Sequence, residues 1–340
     1  MRVVVTGATG NIGTAVMRAL STEPTVDSVL GLARRKPELA LPKAEWAEVD
    51  IGQAGARQEL LSHLRGADAV IHLAWRIQSA RDADDMHMVN VAGTEALLSA
   101  VAEAGTPALL YASSIGAYAA APKEPRVDES HATYGIPASL YSLQKAYLER
   151  RLDAFAREVP GTRVVRMRPT IVARREVGSE IRRLFLGRVV GRLAGIRPLL
   201  PVVPDIPELR FAMVHSDDVA EAFRLALLSD ARGAFNLADD EVMGPADLAR
   251  ALHGTTVPMP FAATRAVVSA AWRLHLHPTD AGWLDVAVRL PLVSSERARA
   301  ELGWRATRSS SEVFGELLEG MREGAGVPTP PLHRAEPPAA

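Results

Sequence analysis

Short β-rich runs and helix-like stretches alternate through the first half of this 340-residue chain. "RVVVTG", "SVLGLAR", "AEWAEVD", "ADAVIHLAW", "PALLYASS" and "RVVRMRPTIV" read as strands, and helices are predicted near residues 11–21, 54–65, 85–104 and 139–158. Parallel strands need crossover helices to join them, so this alternation predicts a doubly wound α/β fold with a parallel sheet covered on both faces. Ligands of such sheets bind outside the carboxyl ends of the strands. Residues 1–172 are expected to form that unit, with 211–238, including the strand-like "GAFNLA", returning to it. Segments 173–210 and 239–323 predict a smaller C-terminal substrate lobe, and the proline- and alanine-rich 324–340 predicts a disordered tail.

The first strand runs into "TGATGNIG", which spaces Gly7, Gly10 and Gly13 three apart ahead of a helix carrying Ile12, Val16 and Leu20. Positions without side chains let the backbone approach a pyrophosphate, and the N–H groups of a helix start suit its charge. Glycines alone can also serve a tight turn. Their placement between a strand and a helix favours a dinucleotide site, with Gly7, Thr9, Gly10, Asn11, Ile12 and Gly13 as candidate contacts.

A second cluster is "YSLQK". The chain has only four lysines; Lys36, Lys43 and Lys123 each adjoin a proline, whereas Lys145 sits inside a helical pattern. Tyr141, Lys145, Leu148, Leu152 and Phe155 follow one stripe at 3.6 residues per turn, while Ser142, Glu149, Arg150, Asp153 and Arg157 fall on other faces. The tyrosine and lysine are therefore expected to point inward, as an acid/base couple or as residues snorkelling from an amphipathic helix.

Composition narrows the classes. A net charge of −1 asks for neither nucleic acid nor an anionic membrane, and the absence of cysteine excludes disulfides, thiolate nucleophiles and cysteine metal sites. No charge-free apolar run reaches the length of a bilayer, and the start of the sequence lacks the pattern of a signal peptide, so a cytoplasmic location is expected. His275 and His277 flank one leucine without further ligands nearby, so no metal site is expected. No GxSxG elbow occurs, which disfavours a hydrolase. The arginines from Arg174 to Arg197 are dense; they read as a solvated helix face with Ile181, Leu184 and Phe185 buried, or as contacts to a phosphate-bearing substrate. "HSDDVAEAF" reads as a helix start capped by Ser216 or Asp217.

Together, TGxxGxxG and YxxxK resemble the extended short-chain dehydrogenase/reductase family, which includes the NAD-dependent epimerase/dehydratases; "MVHSDDVAEAF" and "RARAELGW" look like family segments too. The resemblance implies a Rossmann-like fold and an NAD(P)-dependent oxidoreductase that moves a hydride between nicotinamide and an alcohol/carbonyl pair. It implies a small-molecule substrate and a homodimer. "YASSIGAYA" resembles the family's SSxxVYG stretch, which makes Ser114 the catalytic serine and Ser113 the second choice. Tyr141 becomes the acid/base and Lys145 both its tuner and a ligand of the nicotinamide ribose. A lysine cation nearby is expected to draw the tyrosine down from a pKa near 10.

Asn90 matches the family's helix asparagine, a member of a proton relay, or is a polar residue satisfied locally. In "VIHLAW", Leu73 and Ala74 match the strand end where backbone passes the cofactor; Trp75 narrows the cleft or fills the core. Asp50 and Ile51 stand where family members contact adenine, although an aspartate there also suits a helix cap. In "RMRPTIVAR", Pro169 occupies the cofactor wall where sugar-nucleotide members carry RYFN, which points toward reductase-like members. Ala33 takes the position of the acidic residue that holds the NAD ribose, and Arg34 and Arg35 follow. That favours NADP over NAD. A nucleotide-sugar epimerase/dehydratase with transient hydride transfer and a non-catalytic dinucleotide sensor are the alternatives.

Overall fold

The structure is a computed structural model that describes residues 1–77, 82–186 and 202–333. Seven parallel strands form the central sheet: β1 (Arg2–Thr6), β2 (Ser28–Ala33), β3 (Ala44–Glu48), β4 (Ala69–His72), β5 (Ala108–Ala112), β6 (Arg163–Pro169) and β10 (Gly233–Leu237). Their order is β10-β6-β5-β4-β1-β2-β3. The strand order reverses between β1 and β4, which opens a crevice at their carboxyl ends.

Alternation along the strands decides which helix covers which face. Val3, Val5, Ile71, Leu110 and Val165 pack beneath α1 (Asn11–Thr22) and the helix Ser216–Leu227. Val4, Val70, Leu109 and Val164 face the other way, onto α2 (Ala56–Leu64), α4 (Gly93–Ala104) and α5 (Leu140–Glu158). The predicted Rossmann-like α/β architecture is therefore present, with β10 added to the sheet beside β6.

Two predicted elements are broken. The run 163–172 leaves the sheet after Pro169, and β7 (Ile171–Ala173) pairs instead with β9 (Met213–His215). The helix expected over 85–104 begins as α3 (Ala83–His87), passes through a π-turn at Met88–Ala92 and then continues as α4. Gly93 follows that turn because a Cβ there would lie 2.8 Å from the Ile51 carbonyl oxygen.

Beyond the main sheet, β8 (Val202–Asp205) pairs with β11 (Thr255–Pro258). Two apolar clusters hold this region, one of them joining Val177, Met213, Val313, Leu317, Val327 and Leu332. The tail expectation is corrected here: residues 324–333 are packed, with Leu332 buried in that cluster and Thr329 fully covered. Apolar Val327 and Leu332 anchor a segment whose proline content alone suggested disorder. Residues 334–340 lie outside the described residues, as do Arg188 to Arg197 of the arginine-rich run. Among the described residues no helix is long and apolar enough to cross a membrane.

Candidate active site

The glycine turn opens directly onto the crevice. Gly7 has a left-handed φ of +67°, and a Cβ there would lie 2.5 Å from the Ala74 nitrogen. Gly13 is equally closed, since its Cβ would fall 2.2 Å from the Gly7 carbonyl oxygen. Gly10 differs: the nearest atom to its Cβ position is 3.5 Å away. Its freedom from side chain therefore faces the cleft rather than the protein. Gly10 also precedes α1, whose first turn has no side-chain cap, so its N–H groups are available to an anion.

Across the crevice, α5 starts at Leu140 behind a Ser139 cap that accepts from the Ser142 N–H. Its first turn sets Tyr141 against the turn Ile115–Ala117, where Gly116 is required because a Cβ would lie 2.6 Å from the tyrosine ring. The Ser114 hydroxyl accepts from the Gly116 N–H at 2.9 Å and also hydrogen-bonds Tyr141. Ser113, the second choice, is turned away: its hydroxyl donates at 2.5 Å to the buried Glu149 carboxylate. Lys145 is 3% exposed and donates to the Ala112 carbonyl at 2.7 Å.

One cleft of about 1030 Å³ is lined by the glycine turn, Arg34, Arg35, Asp50, Ile51, Leu73, Ala74, Ser114, Tyr141, Lys145 and Pro169. The residues present thus fit a dinucleotide: a side-chain-free cradle at one end and a serine, tyrosine and lysine at the other. The NAD dependent epimerase/dehydratase family matches residues 3–238. The chain belongs to that family.

Among curated relatives, a protein of Mycobacterium tuberculosis described as uncharacterised is 28% identical over 96% of this chain. The match covers 31% of that relative, so the chain spans about a third of its length. A ketoreductase of Stigmatella aurantiaca, acting on a farnesylated dihydroquinoline oxide, is 30% identical over 51% of this chain and 50% of its own. The solved UDP-glucose 4-epimerase of Thermotoga maritima superposes with a TM-score of 0.70 at 20% identity, covering 95% of this chain and 99% of the other. Likeness at that identity supports the fold.

The chain's own residues depart from expectation in four places. First, Tyr141 is not drawn down. Burial pushes it up to about 12, opposed only by the bond to Ser114, and burial also holds Lys145 well below its ordinary value. In a site that excludes water, the neutral forms of both groups are favoured.

Second, α5 buries more than its apolar stripe. Ser142 and Glu149 are fully covered: the Ser142 hydroxyl donates to the Gly116 carbonyl, and β6 presents Arg166 and Arg168 to the Glu149 carboxylate at 2.8 and 2.7 Å. Third, the helix Ser216–Leu227 is capped by His215, whose side chain accepts from the Asp217 N–H, while the Ser216 hydroxyl donates to Asn11. Fourth, Arg174 is not solvated: it is 2% exposed and its guanidinium donates to Thr14 of α1.

Asn90 takes the local role. Its carbonyl oxygen accepts from the Arg76 N–H at 2.7 Å, and its amide donates to the Arg76 carbonyl and to Gln144. That arrangement pins the chain after β4 to the residue preceding Lys145. Asp50 is not the cap of α2, which is Gly55; it accepts from the Gly52 N–H at 3.1 Å. Trp75 lines the cleft, packed edge-on to Tyr141 with centroids 5.8 Å apart.

Three groups escaped the sequence reading. His72 is buried between Thr6 and Thr94 at 2.6 and 3.0 Å, with its pKa pushed down to about 3 by burial and by Lys145. Trp283 lies 4.9 Å from the Tyr141 ring, and Glu180 lines the cleft from the segment after β7. Only the tertiary fold brings these to the site; no spacing in the sequence signals them.

Proposed function

We propose that the chain is an NADP-preferring oxidoreductase acting on an alcohol/carbonyl pair, with Tyr141 as proton donor and acceptor, Ser114 as the group that holds the substrate oxygen, and Lys145 as the ligand of the cofactor ribose. One observation carries this reading: Tyr141, Ser114 and Lys145 line the same cleft as the Gly7–Gly13 turn, at the carboxyl edge of the sheet.

When bound, the nicotinamide gives a hydride to the carbonyl carbon or takes one from the alcohol carbon. Tyr141 holds its proton at neutral pH because burial pushes it up to about 12, so it can protonate a carbonyl oxygen as that oxygen gains charge. Ser114, fixed by the Gly116 N–H and bonded to Tyr141, can turn its O–H from the tyrosine to the same oxygen when substrate is bound. Asn90 acts at a distance, by positioning the peptide of Arg76 and the α5 turn that carries Lys145.

The NADP preference is supported by Ala33, which brings no carboxylate, and by Arg34 and Arg35 on the cleft wall, neither in an ion pair among the described residues. A 2′-phosphate suits free guanidinium groups. The reading includes the lobe formed by 173–210 and 239–323, a cytoplasmic setting, and a homodimer through α5, where Leu143 and Tyr147 are both 41% exposed.

The test is titration with NAD and NADP separately, then turnover with carbonyl compounds and nucleotide sugars. Tyr141→Phe is expected to abolish turnover while keeping nucleotide affinity, and Arg34→Ala to weaken NADP on the order of tenfold or more relative to NAD. Equal losses for the two nucleotides would overturn the preference. Isomerisation of a nucleotide sugar without net nicotinamide turnover would assign transient hydride transfer instead.

A further inference from the structure

Beyond Tyr141 the cleft is walled by chain outside the main sheet. Trp283, Val286, Leu290 and Val293 line it, together with Ile181 and Leu317. Four cations also reach this space, yet each is committed to the protein. Lys123 donates to the carbonyls of Ala287 and Leu290 at 2.9 and 2.7 Å. Arg126 pairs with Asp240, Arg210 with Glu124, and Arg183 donates to the Pro331 carbonyl. A diphosphate brought here would compete with these contacts for the charge-assisted bonds it needs.

The acidic groups are unequal. Asp239 accepts from the N–H groups of Ser310 and Glu241. Glu180 stands on the short helix Gly178–Ile181, lines the cleft and has no hydrogen bond or ion pair among the described residues. Arg183 acts on it only as a distant charge, so burial raises its pKa to about 7. A carboxyl partly withdrawn from water, with no partner among the described residues, is disfavoured as an anion, and a ligand that hydrogen-bonds it relieves that cost. Ionised, it repels phosphate.

We propose that this end of the cleft takes an apolar alcohol or ketone rather than a phosphorylated sugar, and that the Glu180 carboxyl selects it by hydrogen-bonding a second hydroxyl, remote from the reacting carbon. This rests on the oxidoreductase reading above, because the reacting end of the substrate is placed by Tyr141.

The test uses the full chain with saturating NADP and, as probes, a decalone with a remote hydroxyl, the same decalone without it, and UDP-glucose. Calorimetry is expected to give the hydroxylated decalone a dissociation constant about tenfold or more lower than the plain one. UDP-glucose is expected not to bind. Glu180→Leu should bring the two decalones to about equal affinity, and Glu180→Gln, which still donates and accepts, should restore most of the preference. UDP-glucose binding tighter than either decalone, or a preference that survives Glu180→Leu, overturns the proposal. Binding selectivity without nicotinamide turnover leaves the Glu180 assignment standing and refutes the oxidoreductase reading instead.

Discussion

The Lys145 ammonium lies 3.5 Å from the centre of the Trp75 ring. The indole covers the lysine, while the Ala112 carbonyl accepts a hydrogen bond from it and the Tyr111 ring stands 5.0 Å away. Attraction to the ring is worth about 0.5–2 kcal/mol, whereas full burial shifts a lysine by up to about 3–5 pKa units. Desolvation therefore wins, which is why Lys145 is held low despite the nearby carboxylate of Glu149.

With only four lysines in the chain, Cε-labelled lysine makes this measurable by NMR. Lys145 is expected to titrate well below its ordinary range, and Lys123, partly buried near Arg210, at about 8. In Trp75→Ala, water reaches the Lys145 ammonium and its pKa should rise, since rehydration outweighs the lost ring. An unchanged Lys145 titration in that variant would sink this account.

The same two residues show what a sequence can disclose. Gly7, Gly10 and Gly13, and Tyr141 with Lys145, are legible because fixed spacing on one turn or one helix face carries their chemistry. Glu149 looked exposed on the same helix, since nothing in α5 announces that β6 will meet it with Arg166 and Arg168. Trp283 and Glu180 reach the cleft from segments with no local pattern of their own. Composition also misled at 324–333, where two apolar side chains outweigh the prolines around them.

The three glycines of the turn should separate by substitution. Gly7→Ala places a Cβ 2.5 Å from backbone at a left-handed φ, so it should cost on the order of 1–3 kcal/mol of stability and lower the melting temperature. Gly10→Ala meets nothing closer than 3.5 Å, so the fold should hold while the new methyl group obstructs the bound pyrophosphate. The expected pattern is a native melting curve for Gly10→Ala with nucleotide affinity reduced at least about tenfold. Native affinity in that variant would place the pyrophosphate elsewhere.

Acid should unfold this protein partly through Glu149. Its carboxylate accepts from Ser113, Arg166 and Arg168 and is fully buried. Burial alone would raise its pKa, but the hydrogen bonds and charge of Arg168, with Arg166 and Ser113, hold it below the usual 4.5. A carboxylate whose folded pKa lies below its unfolded one adds stability above the unfolded value, and that contribution disappears as pH falls through the folded value. Glu149→Gln leaves the buried Arg168 beside a neutral amide, so at pH 7 it should cost about 3–5 kcal/mol. Denaturant melts from pH 7 down to about pH 3 are expected to show the gap between wild type and variant closing with acid, because only the wild type loses this ion pair. A gap that stays constant over that range would mean that Glu149 contributes packing alone and that the charges of Arg166 and Arg168 are balanced by other groups.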